Sequence, residues 1–161
     1  LGIDYKVKIE YKNVKIIELN VENKTIKISL PNRYKKMANK EILDLAIEKM
    51  YEQIANVEIE RAMEKARIML GFAPEEYEIA KIKTLGTCKD KKITINPQVV
   101  KYNRKVIDYV VLHQYCHLKY KTHSKGFYQL LEKYEPNYNK CEEILMNIWE
   151  IRGQTSNFSF F

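Results

Sequence analysis

The sequence predicts an α+β fold: a small, mostly antiparallel sheet packed with a long helix and with a second helix that carries two histidines four residues apart. Three observations predict it. Apolar and polar residues alternate through the first thirty positions, as at Tyr5, Val7, Ile9 and Tyr11, which is the period of a half-buried strand. Between Lys40 and Leu70 the apolar residues recur instead at three- and four-residue intervals, the period of an amphipathic helix. A further stretch, Arg104 to Tyr120, has helical spacing and no internal Gly or Pro.

In chain order, three strands come first. Val14 to Leu19 lies between the Tyr5–Tyr11 alternation and that of Ile26, Ile28 and Leu30. Asn13 and the Asn23–Lys24 pair supply turns, so the three read as an antiparallel meander ended by Pro31 and Asn32. In the long helix, Ile42, Leu45, Ala46, Met50 and Ile54 form one face, Asn39 suits the N-cap and Gly71 the C-cap. A break is expected near Asn56. Glu78–Leu85 and Lys92–Ile95 read as short strands joined by a turn through Gly86 and Asp90, with Pro97 ending the second. After the Arg104–Tyr120 helix, Ser124–Tyr134 and Asn139–Arg152 read as two short helices separated by Pro136. Residues 153–161 lack periodicity. With no repeat and no low-complexity linker, the expected organisation is one domain over 1–152 and an irregular tail over 153–161.

Composition narrows the class. A chain of 161 residues with 45% hydrophobic and 30% charged residues is long enough to bury a core without staples. No run approaches the ~20 apolar residues of a membrane helix, and the start, which begins at Leu1 as though trimmed at its front, lacks the pattern of an export signal. Cys88, Cys116 and Cys141 form no CxxC pair; three sparse cysteines read as small buried apolar residues in a reducing cytoplasm. The net charge of +7 raises the expectation of a polyanionic partner. The lysines are spread over nearly every segment, however, and read better as a solvated face.

The chemistry is concentrated in one place. All three histidines, His113, His117 and His123, fall within eleven residues. On a helix, residues four apart stack on one face, so His113 and His117 can converge on one ion. Val106 and Val110 continue the same stripe, turning an apolar anchor into ligands at the helix's C-terminal end. His123 lies past the helix, where a chain that turns back completes a tripod. Three protein ligands with a fourth position left for water is the catalytic form of a zinc site, whereas structural zinc is closed by four. The cofactor expected is therefore Zn²⁺. Gln114 occupies the position where HExxH enzymes place the glutamate that accepts a proton from water. It is nearly isosteric with glutamate, yet an amide takes up no proton, and loss of a general base typically costs ~10²–10⁴-fold in rate.

The stretch Ile107–His113, the three histidines, and the following Ser124, Phe127, Tyr128, Leu131, Tyr134, Pro136 and Tyr138 resemble the YgjP-like metal-dependent hydrolases, relatives of the SprT-like and WLM zinc peptidases. Thr84-Leu85-Gly86-Thr87-Cys88 resembles that family's RWGSC turn, with Thr84 and Leu85 in place of its Arg-Trp pair, and Ile93–Pro97 resembles the strand that follows. The resemblance covers most of residues 3–150. It implies a single zincin-like domain, zinc on His113, His117 and His123, and a strand at Lys92–Asn96 forming the cleft rim, where an extended substrate pairs by strand addition.

Three functional readings follow. The leading one is a zinc-dependent hydrolase with a metallopeptidase-like site, acting on a peptide or protein, with Gln114 at the general-base position. A second is hydrolysis of a nucleotide phosphoanhydride at the same site. The third is a non-catalytic zinc-stabilised binding module, for instance for nucleic acid, although no ordered alternation of basic and aromatic residues suggests base stacking. No membrane partner is expected, and the oligomeric state stays open.

Overall fold

In chain order the computed structural model contains β1 (Lys6–Lys12), β2 (Glu18–Glu22), β3 (Thr25–Pro31), α1 (Asn39–Leu70), β4 (Glu76–Ile79), β5 (Gly86–Lys89), β6 (Lys92–Ile95), α2 (Arg104–Lys119), α3 (Lys125–Tyr134) and α4 (Tyr138–Ile151). Short 3-10 helices occupy Asn32–Lys36 and Pro97–Lys101. Residues 6–151 are described, so the expected tail over 153–161 lies outside the described residues. The chain divides between Gln53 and Ile54 into two compact units, with α1 contributing to both.

The α+β class holds, but the sheet is two sheets and each is mixed. In the first unit the strand order is β1-β3-β2, with β1 parallel and β2 antiparallel to β3. In the second unit the order is β4-β6-β5, with β4 parallel and β5 antiparallel to β6. The antiparallel pairs are hairpins with one kind of turn. Asn23 and Lys24 (φ 48° and 59°) and Asp90 and Lys91 (φ 49° and 63°) all adopt positive φ, as a two-residue type I′ turn requires. The remaining strand enters on the far side of the hairpin and runs parallel, which replaces the expected meander. Alternation reports which face of a strand is buried and says nothing about its neighbour.

In the first unit, Ile28 and Leu30 of β3 and Ile42 and Ala46 of α1 form the buried core, with Ile9, Leu19 and Ile26 packed at its margin. The second β-strand begins at Glu18, later than the Val14–Leu19 expectation.

In the second unit α1 continues unbroken through Asn56 and ends at Gly71, whose φ of 73° is the left-handed conformation of a helix-ending glycine. Its Ala55, Ile59, Ala62 and Ala66 pack with Ile93 and Ile95 of β6 and with Val106, Val110 and Val111 of α2 in one buried cluster. Ion pairs fasten the same two helices: Arg104 and Arg61 both bond Glu58, while Arg61 and Lys65 each lie 2.6 Å from Asp108. Residues 80–85, expected as strand, are held as a loop by Asn96. Its side-chain amide donates to the Ile82 carbonyl (2.6 Å) and the Thr84 carbonyl (3.1 Å), and its backbone N–H donates to Leu85 (2.9 Å). Gly86 therefore starts β5, not a turn.

Candidate metal centre

The centre begins with a helix that is fixed before it reaches the histidines. The Asn103 side chain accepts from the Val106 N–H (3.1 Å) and so caps α2. Residues from Val106 to Cys116 are buried apart from Asp108, which is only partly exposed. Burying an aliphatic side chain contributes roughly 1.5–3 kcal/mol, so five of them, Val106, Ile107, Val110, Val111 and Leu112, anchor the helix firmly. The last turn of α2 presents His113, which is buried, and His117, which is half-buried. The chain then leaves the helix at Tyr120 and is caught again at Ser124, whose hydroxyl accepts from the Phe127 N–H and caps α3. That return brings His123 back, exposed, onto the other two.

The structure gathers all three sequence-predicted histidines. Nε2 of His113 lies 2.9 Å from Nε2 of His123 and 3.2 Å from Nε2 of His117, and the ligand atoms of the three all lie within 4.8 Å of one another. Three nitrogens on a tetrahedral Zn²⁺ with bonds of about 2.0–2.1 Å stand about 3.3 Å apart, so these residues fit a metal ion. Phe127, wholly buried, forms the floor: its ring centroid is 4.8, 4.7 and 4.8 Å from those of His113, His117 and His123.

The second nitrogen of two rings decides what the first can do. The His117 Nδ1–H donates to the Tyr120 carbonyl (2.9 Å), which leaves a lone pair on Nε2. For His113, Nδ1 lies 3.3 Å from the Tyr109 hydroxyl, and that hydroxyl donates its only proton to Glu142 (2.8 Å). The oxygen is thus an acceptor toward His113, so Nδ1 carries the proton and Nε2 the lone pair. Burial, and then the neighbouring His117 and His123, push His113 down to about 2. Burial likewise lowers His117, against the Tyr120 carbonyl that raises it. Both rings are accordingly held in the neutral form that a metal ligand requires.

Gln114 also lies on α2 but faces inward. It is wholly buried, and neither end of its amide has a hydrogen-bond partner among the described residues. It packs beneath β5 at Gly86, where an added Cβ would sit 3.0 Å from Gln114 Cγ and 3.1 Å from its Nε2. Glycine at 86 therefore serves a close approach to Gln114, a role beyond the tight turn that its sequence suggests.

The expected rim strand needs correcting. Lys92–Ile95 is β6, the central strand, paired on both sides, so it has no edge to offer a substrate. The strand that packs on α2 with one edge unpaired among the described strands is β5. Beside it opens a cleft of about 600 Å³ that includes His117, Leu118 and Cys88. Cys116 and Cys141 are buried as expected, while Cys88 is half-buried, and all three are free thiols. Two contributors escaped the sequence reading. Tyr109 sits four residues before His113 and so shares its face, a signal that was present. Glu142, thirty-three residues away on α4, gave none.

A helix ending in HxxxH, a third histidine folded back upon it and an α+β scaffold define a metallopeptidase-like protein of zincin type. The chain belongs to the YgjP-like metallopeptidase domain family, whose sequence profile matches residues 1–147. Among solved structures, the metallopeptidase zymogen of Pyrococcus abyssi abylysin is similar at TM-score 0.52 and 25% identity, over 57% of this chain and 95% of that one. The metallopeptidase zymogen of Methanocaldococcus jannaschii jannalysin gives TM-score 0.47 and 25% identity, over 57% and 94%. No curated protein sequence matches. No helix among the described residues is long and apolar enough to cross a membrane.

Proposed function

We propose that residues 1–152 form one zinc-dependent peptidase domain, with zinc held by His113, His117 and His123 and a peptide or protein as substrate. The observation that carries this reading is the convergence of His113 Nε2 with those of His117 and His123 at 3.2 and 2.9 Å, within a chain of a metallopeptidase family. Zinc bound there supplies Lewis acidity, polarising a peptide carbonyl and bringing the pKa of water toward ~7. The chain's own residues do the rest. Tyr109, backed by Glu142, and the Tyr120 carbonyl keep a proton on Nδ1 of His113 and His117, so that both rings stay oriented with Nε2 inward. The unpaired edge of β5 aligns an extended peptide by main-chain hydrogen bonds. Gln114, at the position where HExxH enzymes carry glutamate, has an amide that cannot accept the proton, so turnover is slow. The three free cysteines suit a reducing compartment such as the cytoplasm.

A second reading, a zinc-stabilised module that binds peptide without cutting it, is favoured by the same amide, wholly buried and without a proton-accepting group. One experiment separates the two. The zinc-loaded native chain and its Gln114→Glu variant are incubated with an unfolded protein and the fragments quantified. The hydrolase reading expects cleavage by the variant and ~10²–10⁴-fold less by the native chain. A zinc-loaded variant that cuts nothing rejects it in favour of the module.

A further inference from the structure

We infer that the cleft beside His117 selects an acidic peptide segment, with Lys89 and Lys121 as the residues that contact its carboxylates. This rests on the peptide-binding reading above. The cleft runs between the β5–β6 turn and the C-terminal end of α2, and its four lysines, at 89, 91, 119 and 121, outnumber its acids, Asp90 and Glu75, two to one.

Partners already engage two of these lysines. Lys91 Nζ is 2.6 Å from Glu75, and Lys119 Nζ sits 4.5 Å over the Phe72 ring. Lys89 and Lys121 are both exposed, and neither forms an ion pair among the described residues. They flank the cleft from opposite sides, one ending β5 and the other just past α2. A peptide lying along the unpaired edge of β5 would reach Lys89 at the end of that strand and pass beside His117. Its acidic side chains would there find the two uncommitted ammonium groups.

A cationic groove also raises the question of nucleic acid, and the lining answers it. Groove binders of single strands combine lysines with aromatic rings on which bases stack. No residue lining this cleft is aromatic apart from the ligand His117. Charge without a stacking platform, next to an open strand edge, fits a peptide.

The test is binding, which needs no turnover. Fluorescein-labelled peptides of equal length, rich in Asp and Glu, in Asn and Gln, or in Lys, are titrated with the zinc-loaded native chain and followed by anisotropy, alongside a labelled thymidine oligonucleotide. The acidic peptide is expected to bind most tightly, with the preference erased at high salt. Exposed ion pairs are worth up to about fivefold each, so losing both in Lys89→Glu with Lys121→Glu should weaken the acidic peptide by up to about 25-fold, with the repulsion of the introduced carboxylates adding to the loss. The same pair should turn the preference toward the Lys-rich peptide. Both side chains are exposed, and an unchanged far-UV spectrum will show that the double variant folds. Equal binding of the three peptides, an unaltered preference in the double variant, or tighter binding of the oligonucleotide would overturn the inference. Absence of an acidic preference in the native chain, while Gln114→Glu still cuts protein, refutes this inference alone. Acidic preference without any cleavage by Gln114→Glu refutes the hydrolase reading alone.

Discussion

Removing one oxygen atom from the support of His113 is expected to weaken the metal centre without collapsing the fold. Tyr109 is 1% exposed, and its hydroxyl is the only atom that Tyr109→Phe deletes. That oxygen lies 3.3 Å from His113 Nδ1 and 2.8 Å from Glu142 Oε1, so the substitution separates the ring from the carboxylate behind it. Burial, and then the bond to Glu142, push the Tyr109 phenol far up, so it remains a protonated donor across the whole working range. Loss of such support behind a ligating histidine typically costs 10–100-fold in metal affinity, or about 1.4–2.7 kcal/mol. Loss of a hydrogen bond to a charged group costs about 1.5–3 kcal/mol in stability. The assay is zinc competition against a chromophoric chelator, paired with a urea midpoint for each protein. Zinc affinity should fall at least tenfold in Tyr109→Phe, and Glu142→Gln, which leaves a neutral acceptor, should fall by less. A zinc affinity within twofold of the native chain's in Tyr109→Phe would refute the tautomer argument.

Two other outcomes are expected. Phe127→Ala removes a buried ring lying 4.7–4.8 Å from each imidazole; it should cost about 3–5 kcal/mol in urea unfolding and lower zinc affinity as the three rings lose their common floor. Glu58 is held below its ordinary value of 4.5 first by Arg104, with burial opposing and Arg61 assisting. A depressed carboxylate stabilises the fold above 4.5, and that contribution is lost as pH falls through the lower folded value. Urea midpoints of the metal-free chain should therefore drop on the acid side of pH 4.5, and Glu58→Gln should flatten that limb; an equally steep limb in the variant would contradict the linkage.

The parts of the fold that were legible in the sequence are those written in local spacing. Helix α2 and its paired histidines follow from a four-residue interval, α1 from its periodicity and Gly71, and the first hairpin from Asn23–Lys24. What local spacing does not encode is which strand neighbours which. Nothing in Val7 and Ile9 announces a parallel partner in Ile26 and Ile28, and only the pairing shows that β6 is central and β5 carries the open edge. Long-range side-chain bonds were equally silent. Asn96 converts residues 80–85 to loop from a distance of twelve to fourteen residues, and Glu142 reaches Tyr109 from another helix. Gly86 stood in the sequence as a turn glycine, and its contact with Gln114 emerges only when β5 is laid on α2.

Whether the three histidines make one metal site is settled by elemental analysis. The native chain and the His117→Ala variant are loaded with zinc, desalted and measured for zinc per chain, with folding checked by far-UV circular dichroism. Three converging neutral imidazoles should retain about one zinc per native chain, and two should retain little through desalting. A folded His117→Ala variant that keeps the native zinc content, or a native chain that keeps none, would contradict the account.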